Sequence, residues 1–220
     1  MSKGLIIFDF DGTLGDTRRN IVETMQMTIA EQHLPCRSEE DCASTIGLPL
    51  VECFRAMYPD LQDEEAQMCA DTYRRIFAEN LKTMHPQPFS GVVETLKQLS
   101  MEGYKLTIAS SRSHASLVEL TRDMGISEII SYLIGVDDVE KAKPNPEPVL
   151  KTLKVMHIEA NQTLVVGDMA VDILMGINAG TKTCGVTWGN GSREELEGAG
   201  ADFIIDKMEE IVELTRNQLT

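Results

Sequence analysis

The sequence predicts an α/β fold, a doubly wound, Rossmann-like parallel sheet core with an all-helical cap domain inserted after its first strand. Three observations carry this expectation. From Gly91 onward, short apolar runs rich in β-branched residues alternate with stretches of helical periodicity. Several of those runs are continuously apolar, the pattern of strands buried on both faces of a parallel sheet. The first such run, Leu5-Ile6-Ile7-Phe8, is separated from the others by a long stretch without any strand signal. The expected division is residues 1–14 and 87–220 for the core and 15–86 for the cap.

Taken in order, Leu5–Phe8 reads as a buried strand that ends in the polar turn Asp9-Phe10-Asp11-Gly12-Thr13. Between Thr17 and about Leu81 the periodicity is helical. Ile21, Met25, Thr28 and Ile29 share one face, and Ala66, Cys69, Tyr73, Ile76, Phe77 and Leu81 share another. Pro35, Gly47-Leu48-Pro49 and Pro59-Asp60 divide this stretch into several helices, and Pro86 and Pro88 mark an extended return. Further strands are expected at Lys105–Ala109, Tyr132–Val136, Thr163–Val166, Thr183–Val186 and Phe203–Ile205. The intervening helices fall near Val92–Met101, His114–Met124, Pro146–Met156, Val171–Ala179 and Arg193–Gly198, with a last one from Met208 to about Gln218.

Composition narrows the function classes. The 220 residues include 42% hydrophobic and 25% charged side chains, as in ordinary globular proteins. Twenty Lys and Arg against 35 Asp and Glu give a net charge of −15. That sign argues against nucleic acid or an anionic membrane as partner. No apolar run approaches the roughly 20 residues of a membrane helix. Met1-Ser2-Lys3-Gly4 leads straight into a strand-like run, unlike a secretory signal. Cys36, Cys42, Cys53, Cys69 and Cys184 are odd in number and irregularly spaced, so reduced, packing cysteines and a cytoplasmic setting are expected.

In open parallel sheets, ligands bind beyond the carboxyl ends of the strands. The polar residues there are Asp9 and Asp11, Ser110 and Ser111, Asp137 and Asp138, and Gly167-Asp168. Asp9 and Asp11 flank Phe10 at a strand end, where two carboxylates repel unless a cation is near. They read either as a nucleophile with an acid–base partner, or as a turn with helix-capping residues. Asp168 repeats the arrangement, with Asp172 one helical turn on, so up to four aspartates are expected to converge. Oxygen-only ligands suit Mg²⁺, whereas singly Asp168 reads as a helix N-cap. Ser110 and Ser111 precede helical sequence, where a hydroxyl and backbone N–H groups make an anion site. Arg112 reads as a substrate contact or a solvated side chain. In Lys141-Ala142-Lys143-Pro144-Asn145-Pro146, the prolines fix an extended path that holds Lys143 in one direction, while Lys141 reads as solvated.

Together these elements closely resemble the haloacid dehalogenase superfamily, specifically its phosphatase members with a helical cap. Asp9-Phe10-Asp11-Gly12-Thr13-Leu14, then Ser110, then Lys143-Pro144, then Gly167-Asp168 with Asp172 match its motifs in order over nearly the whole chain. The resemblance implies that Asp9 attacks phosphorus to form an aspartyl-phosphate. Asp11 would protonate the leaving alcohol and then activate water. Mg²⁺ would be held by the Asp9 carboxylate, the Asp11 backbone carbonyl and Asp168, supported by Asp172. Ser110 and Lys143 would hold the phosphate, with Gly12, Ser111 and Arg112 in the phosphate- or substrate-binding set.

Within the family, Asp11 favours phosphoryl chemistry over the dehalogenase branch, which lacks a carboxylate there. Phosphonatase relatives use a cap lysine, and no lysine occurs from Gly15 through Leu81. Sugar phosphomutases of the β-phosphoglucomutase type usually carry a histidine in the first cap helix, near Ile21. The remaining branch resembles phosphoglycolate phosphatase, with Thr45-Ile46-Gly47-Leu48-Pro49-Leu50 either selecting substrate or packing helices. Met169 and Gly176 depart from the family pattern. The expected activity is therefore a Mg²⁺-dependent phosphomonoesterase on a small phosphate ester, with a mutase or a catalytically silent phosphate-binding module as alternatives.

Overall fold

The computed structural model describes residues 2–219. β1 (Leu5–Phe8) is wholly buried, and side chains two apart share a face. Leu5 and Ile7 enter one hydrophobic cluster, while Ile6 and Phe8 enter a second on the other side of the sheet. Burial on both faces is why this strand reads as an unbroken apolar run. A tight turn then leads to the short β2 (Gly15–Asp16).

Four helices follow: α1 (Arg18–Glu31), α2 (Glu39–Ala43), α3 (Leu50–Met57) and α4 (Asp63–Asn80). The buried residues of α1 include Ile21, Met25, Thr28 and Ile29, and those of α4 include Ala66, Cys69, Tyr73, Ile76 and Phe77, the two faces expected from periodicity. α2 starts at a capping box in which the Ser38 hydroxyl accepts from Asp41 N and the Asp41 carboxylate accepts from Ser38 N. β3 (Gln87–Pro88) returns antiparallel to β2, setting Gly15 opposite Pro88 and Asp16 opposite Gln87. The way into the helical segment is thus tied to the way out, a pairing that two residues of Gly-Asp gave no sign of.

The chain continues through α5 (Val92–Met101), β4 (Lys105–Ala109), α6 (His114–Asp123), β5 (Tyr132–Ile134), α7 (Glu147–Met156) and β6 (Thr163–Gly167). It closes with α8 (Ala170–Asn178), β7 (Lys182–Val186), α9 (Arg193–Gly198), β8 (Phe203–Ile205) and α10 (Glu210–Gln218). The third core strand stops at Ile134, short of the expected Val136. Val136–Asp138 instead forms a 3-10 turn, in which the Asp138 carboxylate accepts from Gly135 N at 2.8 Å.

Six strands form one parallel sheet in the order β5-β4-β1-β6-β7-β8. The chain first winds from β1 toward β5 and then, from β6, in the other direction, so the switch lies between β1 and β6. Ligands of doubly wound sheets bind at such a point, beyond the carboxyl ends of the strands. α8 packs close to the sheet at Gly176, where a Cβ would lie 2.6 Å from Thr183 Cγ2 and 3.0 Å from Val165 Cβ. Close approach explains glycine in place of a helix former. Cys42, Cys53, Cys69 and Cys184 are buried and Cys36 is exposed, all five as free thiols. Among the described residues, no helix is long and apolar enough to cross a membrane.

Candidate active site

Asp9 follows β1 and Asp168 follows β6, so the two neighbouring strands on either side of the switch each deliver one carboxylate. Asp9 N donates to Val166 O at 2.8 Å, extending the ladder one residue and fixing where its side chain leaves the sheet. Asp172 sits in the first turn of α8 and completes a buried group in which one carboxylate oxygen from each of Asp9, Asp168 and Asp172 lies within 4.8 Å of the others. Three aspartates converge here. The carboxylate of Asp11, expected as a fourth, turns elsewhere.

Lys143 supplies the buried cation. Its Nζ donates to Asp9 Oδ1 and to Asp172 Oδ1, both at 2.6 Å, with 4% of its side chain exposed. The loop that carries it is a turn and not the expected extended path: the Lys143–Pro144 peptide is cis and Asn145 N donates to Ala142 O. The Glu147 carboxylate accepts from Glu140 N and Lys141 N at the loop's entrance and pairs with Lys151. These partners depress Glu147 to about 2, the Lys151 contact contributing most.

Asp168 is not the N-cap of α8. Met169 occupies that position, and the Asp172 carboxylate accepts from Met169 N at 3.1 Å. Asp168 is instead held by the Thr13 hydroxyl, which donates to Oδ1 at 2.9 Å, and by Asn190, whose backbone N–H and side-chain amide donate to Oδ2 at 2.7 and 3.1 Å. Gly12 has φ +81°, and a Cβ there would lie 2.1 Å from Asp168 Oδ2, so only glycine lets the first motif turn against the third. Burial pushes Asp9 well above the usual carboxylate range, with Lys143 opposing and the neighbouring aspartates adding. Burial, then Asp172, pushes Asp168 up to about 7.

Asp11 faces the helical insertion. The Thr17 hydroxyl donates to its Oδ1 at 2.6 Å, and Arg112 Nε donates to Oδ1 and Oδ2 at 2.8 and 2.7 Å. Arg112 is therefore no solvated side chain. Its Cζ lies 4.8 Å from the Phe77 ring centroid of α4 and 5.9 Å from that of Phe10. Tyr73 stacks on Phe77 at 5.7 Å, one turn earlier on α4.

Ser110 and Ser111 lie just beyond β4, three and two residues short of the Ser113 N-cap, so neither begins α6 as the sequence suggests. Ser110 is buried and its hydroxyl accepts from Arg112 N at 3.3 Å. Ser111 donates to Gly47 O at 2.6 Å, which brings the Thr45–Leu50 loop onto the site, while Thr45 and Ile46 of that loop are buried in packing. Asp137 and Asp138 stand apart from the site: they bind the backbone N–H and ring of His114 and tie β5 to α6.

Asn190 and Trp188 are the residues sequence reasoning missed, and Thr13, quoted within the first motif, had no role assigned. Trp188 Nε1 donates to Thr13 O at 3.1 Å, so the turn after β7 braces the turn after β1. The available signal was the polar Gly189-Asn190-Gly191 segment just past an apolar strand, the same signature that singled out the other loops.

A family model described as haloacid dehalogenase-like hydrolase matches residues 6–186. Among curated relatives, "Probable phosphatase IndB" of Dickeya dadantii is 34% identical over 212 residues, covering 96% of this chain and 92% of that protein. "Pyrophosphatase PpaX" of Anoxybacillus flavithermus is 33% identical over 217 residues, covering 97% of each. Among solved structures, a predicted phosphoglycolate phosphatase from Haemophilus somnus superposes with a TM-score of 0.89, covering 98% of this chain and 99% of that one at 24% identity. That last likeness concerns the fold.

Proposed function

Because the chain belongs to the haloacid dehalogenase-like hydrolase family, we propose that it is a Mg²⁺-dependent phosphomonoesterase of the phosphoglycolate-phosphatase type, acting on a small phosphorylated metabolite through an aspartyl-phosphate at Asp9. The observation that carries this reading is the buried group of Asp9, Asp168 and Asp172 around the Lys143 ammonium.

Three carboxylates and one ammonium leave two negative charges when all are ionised, in a place too buried for water to screen them. The raised Asp9 and Asp168 express that deficit. A divalent cation restores neutrality, and hard carboxylate oxygens are the donors Mg²⁺ prefers. Asp9, Asp168 and the Asp11 carbonyl would hold it, with Asp172 in support. When bound, the ion supplies positive charge for the transferring phosphoryl oxygens.

The chain's own groups account for the rest. An Asp9 oxygen attacks phosphorus, the P–O bond to the leaving group breaks, and Asp11 gives that oxygen its proton. Asp11 then takes a proton from water as the water attacks phosphorus, releasing inorganic phosphate and restoring Asp9. Lys143 and Ser110 hold the phosphate oxygens, and Gly12 keeps the turn narrow enough for Asp168 to reach the site. A cytoplasmic enzyme with a free small-molecule substrate is consistent with the net charge of −15 and the free thiols of all five cysteines.

A panel of small phosphate esters, with and without Mg²⁺, tests the reading. Wild type is expected to release phosphate only with the ion, and Asp9→Asn to be slower by roughly 10³-fold or more, since it removes the nucleophile. Equal release by both proteins would sink it. An isomeric sugar phosphate from β-glucose 1-phosphate, in place of free phosphate, would move the chain to the mutases.

A further inference from the structure

Arg112 divides its donors unevenly. Nε serves both oxygens of Asp11, and Nη1 reaches Ser116 Oγ at 3.3 Å. Nη2 is buried and has no hydrogen-bond partner. Only 9% of the side chain is exposed, with Phe77 over the guanidinium on the side of the helical insertion and Phe10 on the core side. A buried guanidinium N–H is among the costliest donors to leave unmet, and such groups are almost always satisfied, by protein, by ordered water or by a bound ligand.

Its place says what the ligand is. In the reaction proposed above, on which this inference rests, Asp11 touches the oxygen that leaves. A guanidinium joined to Asp11 through Nε therefore lies beside the leaving group, on the opposite side of phosphorus from Asp9. The transferring phosphate has its own cation in Lys143, which bridges Asp9 and Asp172. We propose that Arg112 is a specificity-determining residue whose Nη edge pairs with a negative charge on the leaving group. The substrate class is then a phosphate ester or anhydride whose departing part is itself an anion, a carboxylate or a second phosphate. Guanidinium matches both groups with two parallel donors, which a lysine does not. A wholly neutral alcohol offers no charge for the edge to meet, so it binds with a weaker hydrogen bond.

The test compares kcat/KM for 2-phosphoglycolate, inorganic pyrophosphate and 2-hydroxyethyl phosphate in Mg²⁺, for wild type, R112M and R112K. The first and third differ by a carboxylate against a hydroxymethyl on leaving groups of similar size. Wild type should favour at least one anionic leaving group over 2-hydroxyethyl phosphate by about 10- to 100-fold, the range of one charged hydrogen bond. R112M should lose most of that preference while also slowing all three substrates through Asp11. Comparing the ratios between proteins cancels the intrinsic reactivity of anhydride and ester, and whichever anionic substrate responds more to R112M identifies the carboxylate or the phosphate. A wild-type ratio near 1 overturns the proposal without any variant. If R112M does not fold, R112K decides: its shorter side chain keeps a positive charge near Asp11 but has no Nη edge to present to the leaving group, so an unchanged ratio overturns the proposal. Hydrolysis of 2-hydroxyethyl phosphate or p-nitrophenyl phosphate alone leaves the phosphatase reading standing and removes this one. No phosphate from any of the four removes both.

Discussion

Asp168 shows how a single residue's chemistry is set from several parts of the chain. It receives hydrogen bonds from Thr13 and Asn190, yet burial and Asp172 still push it up to about 7 from an ordinary value of 3.8. Between those two pH values the metal-free folded state binds more protons than the unfolded chain. Stability contributed through Asp168 therefore falls as pH rises from about 4 to about 7 and stays low above that. Asp168→Asn removes the charge and keeps the contacts, its carbonyl toward Asn190 and its NH₂ toward the Thr13 hydroxyl. Metal-free D168N is expected to exceed wild type in stability at pH 8 by on the order of 2 kcal/mol, and to converge with it toward pH 4. Urea unfolding at the two pH values checks this; a D168N protein no more stable than wild type at pH 8 contradicts it. Asp9, Asp168, Asp172 and Lys143 were all legible as candidates, because acidic and basic groups at strand ends and in a proline-bounded loop are local signals. Of the two readings of Arg112, the structure excludes the solvated one. Nothing in Ser110-Ser111-Arg112 says that Phe77, 35 positions earlier on α4, covers the guanidinium.

Elements place these residues through close approach. α8 brings Asp172 to the site only because it lies tight on β6 and β7, and Gly176 is the contact that allows it. In a free helix, Gly→Ala gains about 1 kcal/mol of propensity. At position 176 the added Cβ meets the short, buried Thr183 and Val165, neither of which has room to move, and overpacking of that kind costs about 1–3 kcal/mol. Gly176→Ala is therefore expected to lower the urea midpoint and, by lifting α8, to lower kcat as well. A rise in the midpoint would mean that α8 stands off the sheet. The six core helices and six core strands were legible to within about two residues at each end, since each carries its own apolar periodicity, whereas the helices between Thr17 and Leu81 were legible as a group without bounds. The β2–β3 pair was not, because two residues of backbone pairing between the segments entering and leaving the helices have no side-chain pattern to read.

At the scale of the whole molecule, the net charge of −15 says little about how an anion reaches the site. Exposed charges are screened beyond about 8–10 Å at physiological salt. The buried group of Asp9, Asp168, Asp172 and Lys143 sets the local balance, which a bound divalent ion would neutralise. The sheet order supplies the remaining logic. Placing β6 beside β1 joins carboxylates more than 150 positions apart in sequence, with Lys143 and Asn190 arriving from two further loops. Strand types were legible, but their order in the sheet was not, because pairing between distant strands leaves no mark on either one alone.

In the proposed reaction Asp9 becomes covalently phosphorylated. The most direct test is to quench the enzyme during turnover in acid, reduce any acyl phosphate with borohydride, and locate the modified residue by peptide mass spectrometry. A reduced side chain is expected at position 9, and only when both Mg²⁺ and substrate were supplied. Steady phosphate release with position 9 unmodified, or with the modification at another residue, would contradict it.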